Sequence, residues 1–195
     1  MRSTAVQPQR SLPHPTAGPR TKQDTAETGS GSQDALAVLE ADRRAVEKLF
    51  KAFGKTADDD LEARSALARR ACEELSIHTM LEEELLYPAA QEALPDSDTI
   101  DVEEAYVEHF LVKTLITRFE TLKAGDKGFD ATFKVMSEMV GHHVEEEEGE
   151  LFPELRKSKC NLQTLGEKTA KRKADLQSKL DAVGSRSVGE KSAML

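Results

Sequence analysis

The chain has 195 residues, about the size of one domain with tails, and carries a formal net charge of −9 and no Trp. That charge argues against nucleic acid and anionic membrane as partners, and no apolar run approaches the ~18 residues of a membrane span. Cys72 and Cys160 are the only cysteines and form no CxxC pair, so a reducing, cytoplasmic setting is expected rather than a disulfide framework. Residues 1–33 are rich in Pro, Ser, Thr, Gly and Gln and nearly lack apolar side chains. Such a segment cannot bury enough surface to offset its ordering entropy, and a disordered tail is expected there.

From Asp34 the pattern turns helical. Leu36, Leu39, Arg43, Val46, Phe50 and Phe53 recur at three- and four-residue spacing. Asp34 suits the N-cap, and Gly54 stands where a C-cap glycine would. The acidic triplet Asp58–Asp60 suits the positive end of a second helix. That helix carries Leu67, Cys72, Leu75, His78 and Glu82 as far as Tyr87, and Pro88 predicts a bend or restart. Pro95–Asp98 reads as a turn, with Asp98 a cap for a third helix along Val102, Tyr106, His109, Val112, Ile116 and Phe119. The run Ala124–Gly128 breaks it. A fourth helix is predicted from Phe129 to Phe152, stopped by Pro153. With short connections and no strand signal, these elements describe an all-α, antiparallel up-down-up-down four-helix bundle over residues 34–160. An additional C-terminal helix follows over residues 161–184, and residues 185–195 read as a disordered tail.

Two stretches share one skeleton: "HTMLEEELLYP" from His78 and "HVEEEEGELFP" from His143. Residues four apart on a helix lie about 40° apart around its axis. His78 and Glu82 therefore share a face, and so do His143 and Glu147. Each face is the apolar one, flanked by Leu75 and Leu85 in the first case and by Met136, Met139 and Val140 in the second. An ionised carboxylate in a core needs compensation. A cation shared between helices supplies it, and imidazole with carboxylate suits iron, manganese or zinc better than magnesium or calcium. His109, on the stripe of the third helix, joins the set.

These residues resemble the hemerythrin-like, or HHE cation-binding, domain family. The resemblance rests on His78/Glu82 followed by "YP", on Glu108–His109, and on His143/Glu147 followed by "FP". It implies a four-helix bundle holding non-haem iron, usually a pair of irons. By similarity, Glu82 and Glu147 are the bridging carboxylates and His78, His109 and His143 the terminal ligands. The family's first-helix Asp-His is here Asp42–Arg43, and Ala105 and Lys113 stand where a further third-helix His can occur.

Arg43 lies on the apolar stripe and has no lone pair to give a metal. Two expectations compete. Arg43 can neutralise both glutamates, leaving a metal-free bundle that acts as a structural or interaction module. Alternatively His109, His143 and one glutamate hold a single ion, with Arg43 as counter-charge and Glu47 as a possible substitute ligand. The metal reading implies binding or sensing of oxygen, peroxide, nitric oxide or iron itself. No phosphate-binding loop or nucleophile elbow marks a conventional enzyme. Glu83 and its acidic neighbours read as solvated, Tyr87 and Phe152 as core anchors, Tyr106 as packing, His142 as a flanking residue, and Lys171–Lys173 as a solvated helix face.

Overall fold

The helices begin where their caps allow. Asp34 accepts a hydrogen bond from the backbone N–H of Ala37 at 2.8 Å and starts the first helix, Ala35–Lys55. Asp60 does the same for Ala63 at 3.1 Å and starts the second, whose first segment is Leu61–Leu81. The computed structural model describes residues 33–95 and 100–192. The third helix is Ile100–Glu120. Gly128, at φ 94°, takes a left-handed turn that only glycine adopts cheaply and delivers the chain to the fourth helix, which opens with Phe129–Glu146. Among the described residues there is no strand, and the fold is an all-α bundle with a fifth, C-terminal helix, Leu162–Ser192.

Several boundaries differ from those expected. Gly54 is not a C-cap: the first helix runs through it and ends at extended Thr56, whose N–H and hydroxyl both bond Ala52 O. The expected N-terminal tail lies outside the described residues except Gln33, and so does Asp98. The last helix continues past Gly184, where a tail was expected, to Ser192.

Pro88 sits where its helix restarts, as expected, whereas Pro153 acts differently. Neither Pro88 nor Pro153 ends its helix. A π-helical turn, Glu82–Leu86, precedes Tyr87–Ala93, and another, Glu147–Leu151, precedes Phe152–Lys157. Proline lacks an N–H and its ring collides with the carbonyl four residues back. A turn one residue wider displaces that carbonyl, and here the N–H of Tyr87 reaches Glu82 O and that of Phe152 reaches Glu147 O. Each wide turn begins on the glutamate of a His-x-x-x-Glu pair.

Two apolar clusters fill the bundle. One holds Leu36, Leu39, Leu81, Tyr87, Ala105 and Phe152; the other holds Val46, Phe53, Leu75, Val112, Phe133 and Met136. Each large side chain so buried contributes about 1.5–3 kcal/mol. Along every bundle helix at least one polar residue separates the clusters. Arg43 stands between Leu39 and Val46, His78 between Leu75 and Leu81, His109 between Ala105 and Val112, and His143 between Met136 and Leu151. The polar layer is thus sealed by hydrocarbon on two sides.

The fifth helix packs on the first and second. Its basic run is not simply solvated: Arg172 donates to both oxygens of Glu84, at 2.7 and 2.8 Å, and Lys173 pairs with Asp42. Gly166 permits the contact, since a Cβ there would lie 2.8 Å from Ala35 N and closer still to Gln33 O. Gly166→Ala should cost about 1–3 kcal/mol, as overpacking does. The check is a lower midpoint of denaturant unfolding with helix content unchanged.

Candidate metal centre

Seven polar side chains meet in this layer. Arg43, His78, Glu82, His109, His143 and Glu147 are buried, none more than 5% exposed, and Tyr87 is wholly buried with them. An oxygen of Glu82, Nε2 of His109 and Nε2 of His143 all lie within 4.8 Å of one another. His78 and Glu147 stand just outside that set, with His78 Nε2 3.1 Å from Glu82 Oε1 and His143 Nε2 3.7 Å from Glu147 Oε2. Arg43 occupies the space between the glutamates. Its guanidinium donates to Glu82 Oε1 at 2.8 Å and to Glu147, reaches Glu148 at 3.4 Å, and stacks 4.3 Å over the Phe152 ring. Glu47 is not brought to the cluster. It lies at the surface, 2.5 Å from Lys51 and 3.9 Å from Arg44.

The outer face of each imidazole is tied down. His109 Nδ1 donates to Glu83 Oε1 at 3.0 Å, and His143 Nδ1 donates to Glu108 Oε2 at 2.7 Å. Lys113 holds Glu83 in turn, at 2.5 Å. With the Nδ1 protons so committed, both Nε2 atoms point inward, each as a lone pair wherever it carries no proton. They face each other at 3.2 Å. Tyr87 offers no relief. Its single proton goes to Glu147 Oε1 at 2.8 Å, so its oxygen also presents lone pairs to His109 Nε2 at 3.1 Å. Glu82 Oε2 approaches His109 Nε2 to 3.2 Å yet makes no hydrogen bond, and neither nitrogen of His78 makes one. Buried polar atoms without partners are rare and need an explanation. Lone pairs that converge with nothing to share are satisfied by a proton or by a metal ion, so the donor set fits a cation.

Without an ion, the electrostatics favour the proton, on His143. Burial opposes the charge on Glu82, but His78, Arg43, His109 and His143 outweigh it and hold the carboxyl well below the usual range. Burial likewise opposes a charge on His143, but its bond to Glu108, helped by Glu82, pushes it up to about 9. The same bond to His143 holds Glu108 below its ordinary value. An apolar cavity of about 20 Å³ adjoins the layer, lined by His78, His109 and His143 with Leu75, Val112 and Val140 among its walls. That is room for about one water-sized molecule.

The sequence reading missed three contributors. Tyr87 lies five residues after Glu82, which in a straight α-helix would place it about 140° round the axis; the π turn carries it back to the same side. Glu83, read as solvated, orients His109, and Glu108 orients His143. Other expectations agree with the structure: His142 is exposed, 3.1 Å from Glu146, and Tyr106 packs edge-on against Tyr87 at 5.0 Å. Cys72 is a buried thiol, pushed up to about 12 by burial and nearby Glu73 and Glu120.

A sequence model described as the Hemerythrin HHE cation binding domain matches residues 34–155. A curated relative, an uncharacterized hemerythrin-like protein of Schizosaccharomyces pombe, is 31% identical over 84 residues, or 43% of this chain and 41% of that protein. The chain therefore spans well under two thirds of that relative. Among solved structures, a hemerythrin HHE cation-binding domain-containing protein of Mycobacterium kansasii superposes with a TM-score of 0.63 at 24% identity, covering 75% of this chain and 89% of that one. That likeness bears on the fold alone.

Proposed function

The chain belongs to the hemerythrin HHE cation-binding domain family, and from that premise we propose that it holds a single non-haem iron ion and binds or senses a small ligand such as dioxygen, peroxide or nitric oxide. The observation that carries this reading is the mutual approach of Glu82, His109 and His143 beside a guanidinium that fills the remaining space between the glutamates. Two imidazoles and a carboxylate suit iron, and manganese or zinc are the next candidates. Bound iron would supply redox chemistry there.

The chain's own residues do the rest. Glu83 and Glu108 hold His109 and His143 in the tautomer that aims Nε2 inward. Arg43 supplies the positive charge that a second ion would bring, and Tyr87 keeps Glu147 turned toward it. Burial keeps bulk water from the layer, and the small apolar cavity leaves space for one small molecule. Among the described residues no helix is long and apolar enough to cross a membrane, and both cysteines are free, in keeping with a reducing compartment such as the cytoplasm.

One observation favours a second reading. Arg43 pairs with both Glu82 and Glu147, and with a proton on His143 the layer is charge-compensated without an ion, as a metal-free interaction module would require. Anaerobic titration of ferrous iron into chelator-treated protein separates the two. The metal reading expects saturation near one equivalent, with Glu108→Gln weakening the affinity about 10–100-fold in competition with a chromophoric chelator, because an orienting partner is lost. An affinity indifferent to Glu108→Gln would sink the assignment of His143 as a ligand.

A further inference from the structure

The third helix carries the ligand His109 on its inner face, and its outer face is unusually apolar for a surface. Val107 is 61% exposed, Phe110 67% and Leu111 43%. Their spacing of three and four places them on one stripe, continued toward one end by exposed Glu103 and Glu104 and toward the other by exposed Thr114 and Arg118. The fifth helix packs chiefly on the first and second helices. Among the described residues, Glu103, Glu104 and Arg118 make no ion pair; Arg118 spends its Nε–H on the hydroxyl of Thr132 at 3.2 Å.

We infer that this stripe is a self-association surface that takes the third helix of a second copy of the chain, antiparallel, about a two-fold axis between Phe110 and Leu111. The charge pattern selects that occupant. Under such an axis Phe110 meets Leu111 of the other copy, Val107 meets Thr114, and Glu103 meets Arg118. Each contact occurs twice, as an isologous interface requires. A parallel pairing would instead oppose Arg118 to Arg118 and Glu103 to Glu103. The apolar centre with a charged rim is the usual anatomy of a protein interface, and two helices packing along an apolar seam bury it efficiently. One helix pair makes a small interface, so the dimer is a reversible one rather than an obligate one.

Sedimentation equilibrium of the full chain tests this. The expected result is a monomer–dimer equilibrium with a Kd in the micromolar range, on the order of 1–100 µM, as small interfaces give. Phe110→Glu, which removes a central aromatic anchor, should weaken it at least ~100-fold with circular dichroism unchanged. Glu103→Arg and Arg118→Glu should each weaken it by roughly 10-fold, and the double variant E103R/R118E should restore it, because the swapped charges again face each other. A chain that stays monomeric up to roughly 0.5 mM, a dimer that survives Phe110→Glu, or a double variant no better than either single one would overturn the inference.

Discussion

Arg43→Ala should destabilise the metal-free protein by about 3–5 kcal/mol, the cost of removing one partner from a buried ion pair. The guanidinium is the principal cation for Glu82 and Glu147, which are 0% and 4% exposed. Without it both carboxylates must protonate, admit water or repel each other across the gap. Its cation–π contact with Phe152 is lost as well. Metal should narrow the deficit, because a cation in the layer replaces part of the missing charge. Urea unfolding of chelated and iron-loaded samples, wild type beside variant, reads both effects. A cost under ~1 kcal/mol in the chelated protein would mean that Glu82 and Glu147 are compensated otherwise, contrary to the pairing described.

Glu82→Gln should abolish iron binding. Glu82 is the carboxylate of the mutually close set and touches His78, His109 and Arg43 at once. The amide keeps the volume and removes the charge, so two imidazoles and a cationic arginine are left to receive a cation. Affinity should fall by ~1,000-fold or more, beyond the 10–100-fold of an orienting residue. Glu147→Gln offers the contrast. Glu147 lies outside the close set and is spent on Arg43 and Tyr87, so its loss should reduce stability more than affinity. If the two variants lose iron equally, the ion sits between the glutamates and the single-ion arrangement is wrong.

Which parts of the site were legible in the sequence follows from what periodicity encodes. Helical spacing fixes a direction, and it placed Arg43, His78, Glu82, His109, His143 and Glu147 inward, where all are buried. It does not fix distance. Which three of the six approach closely depends on the reach of Arg43 across to the fourth helix. Glu47 shows the same limit: it sits about 40° to one side of Arg43 and Val46 about 60° to the other, and the core takes the side of Val46. Pro153 misled because a local rule, that proline ends a helix, was met by a local remedy, the wide turn. The wide turn before Pro88 hid Tyr87, which a straight helix would point elsewhere. Glu83 and Glu108 were indistinguishable from solvated glutamates, since their role lies in partners on neighbouring helices.

The central claim is that Arg43 and one ion share the layer. Metal content per chain, measured by mass spectrometry after anaerobic reconstitution of the wild type beside Arg43→His, tests it most directly. The expected result is about one iron in the wild type and more, approaching two, once a histidine supplies the ligand that arginine cannot. Less than ~0.2 metal per chain in the wild type would contradict it, since even a moderately tight site fills on reconstitution, and so would a wild type that already holds two.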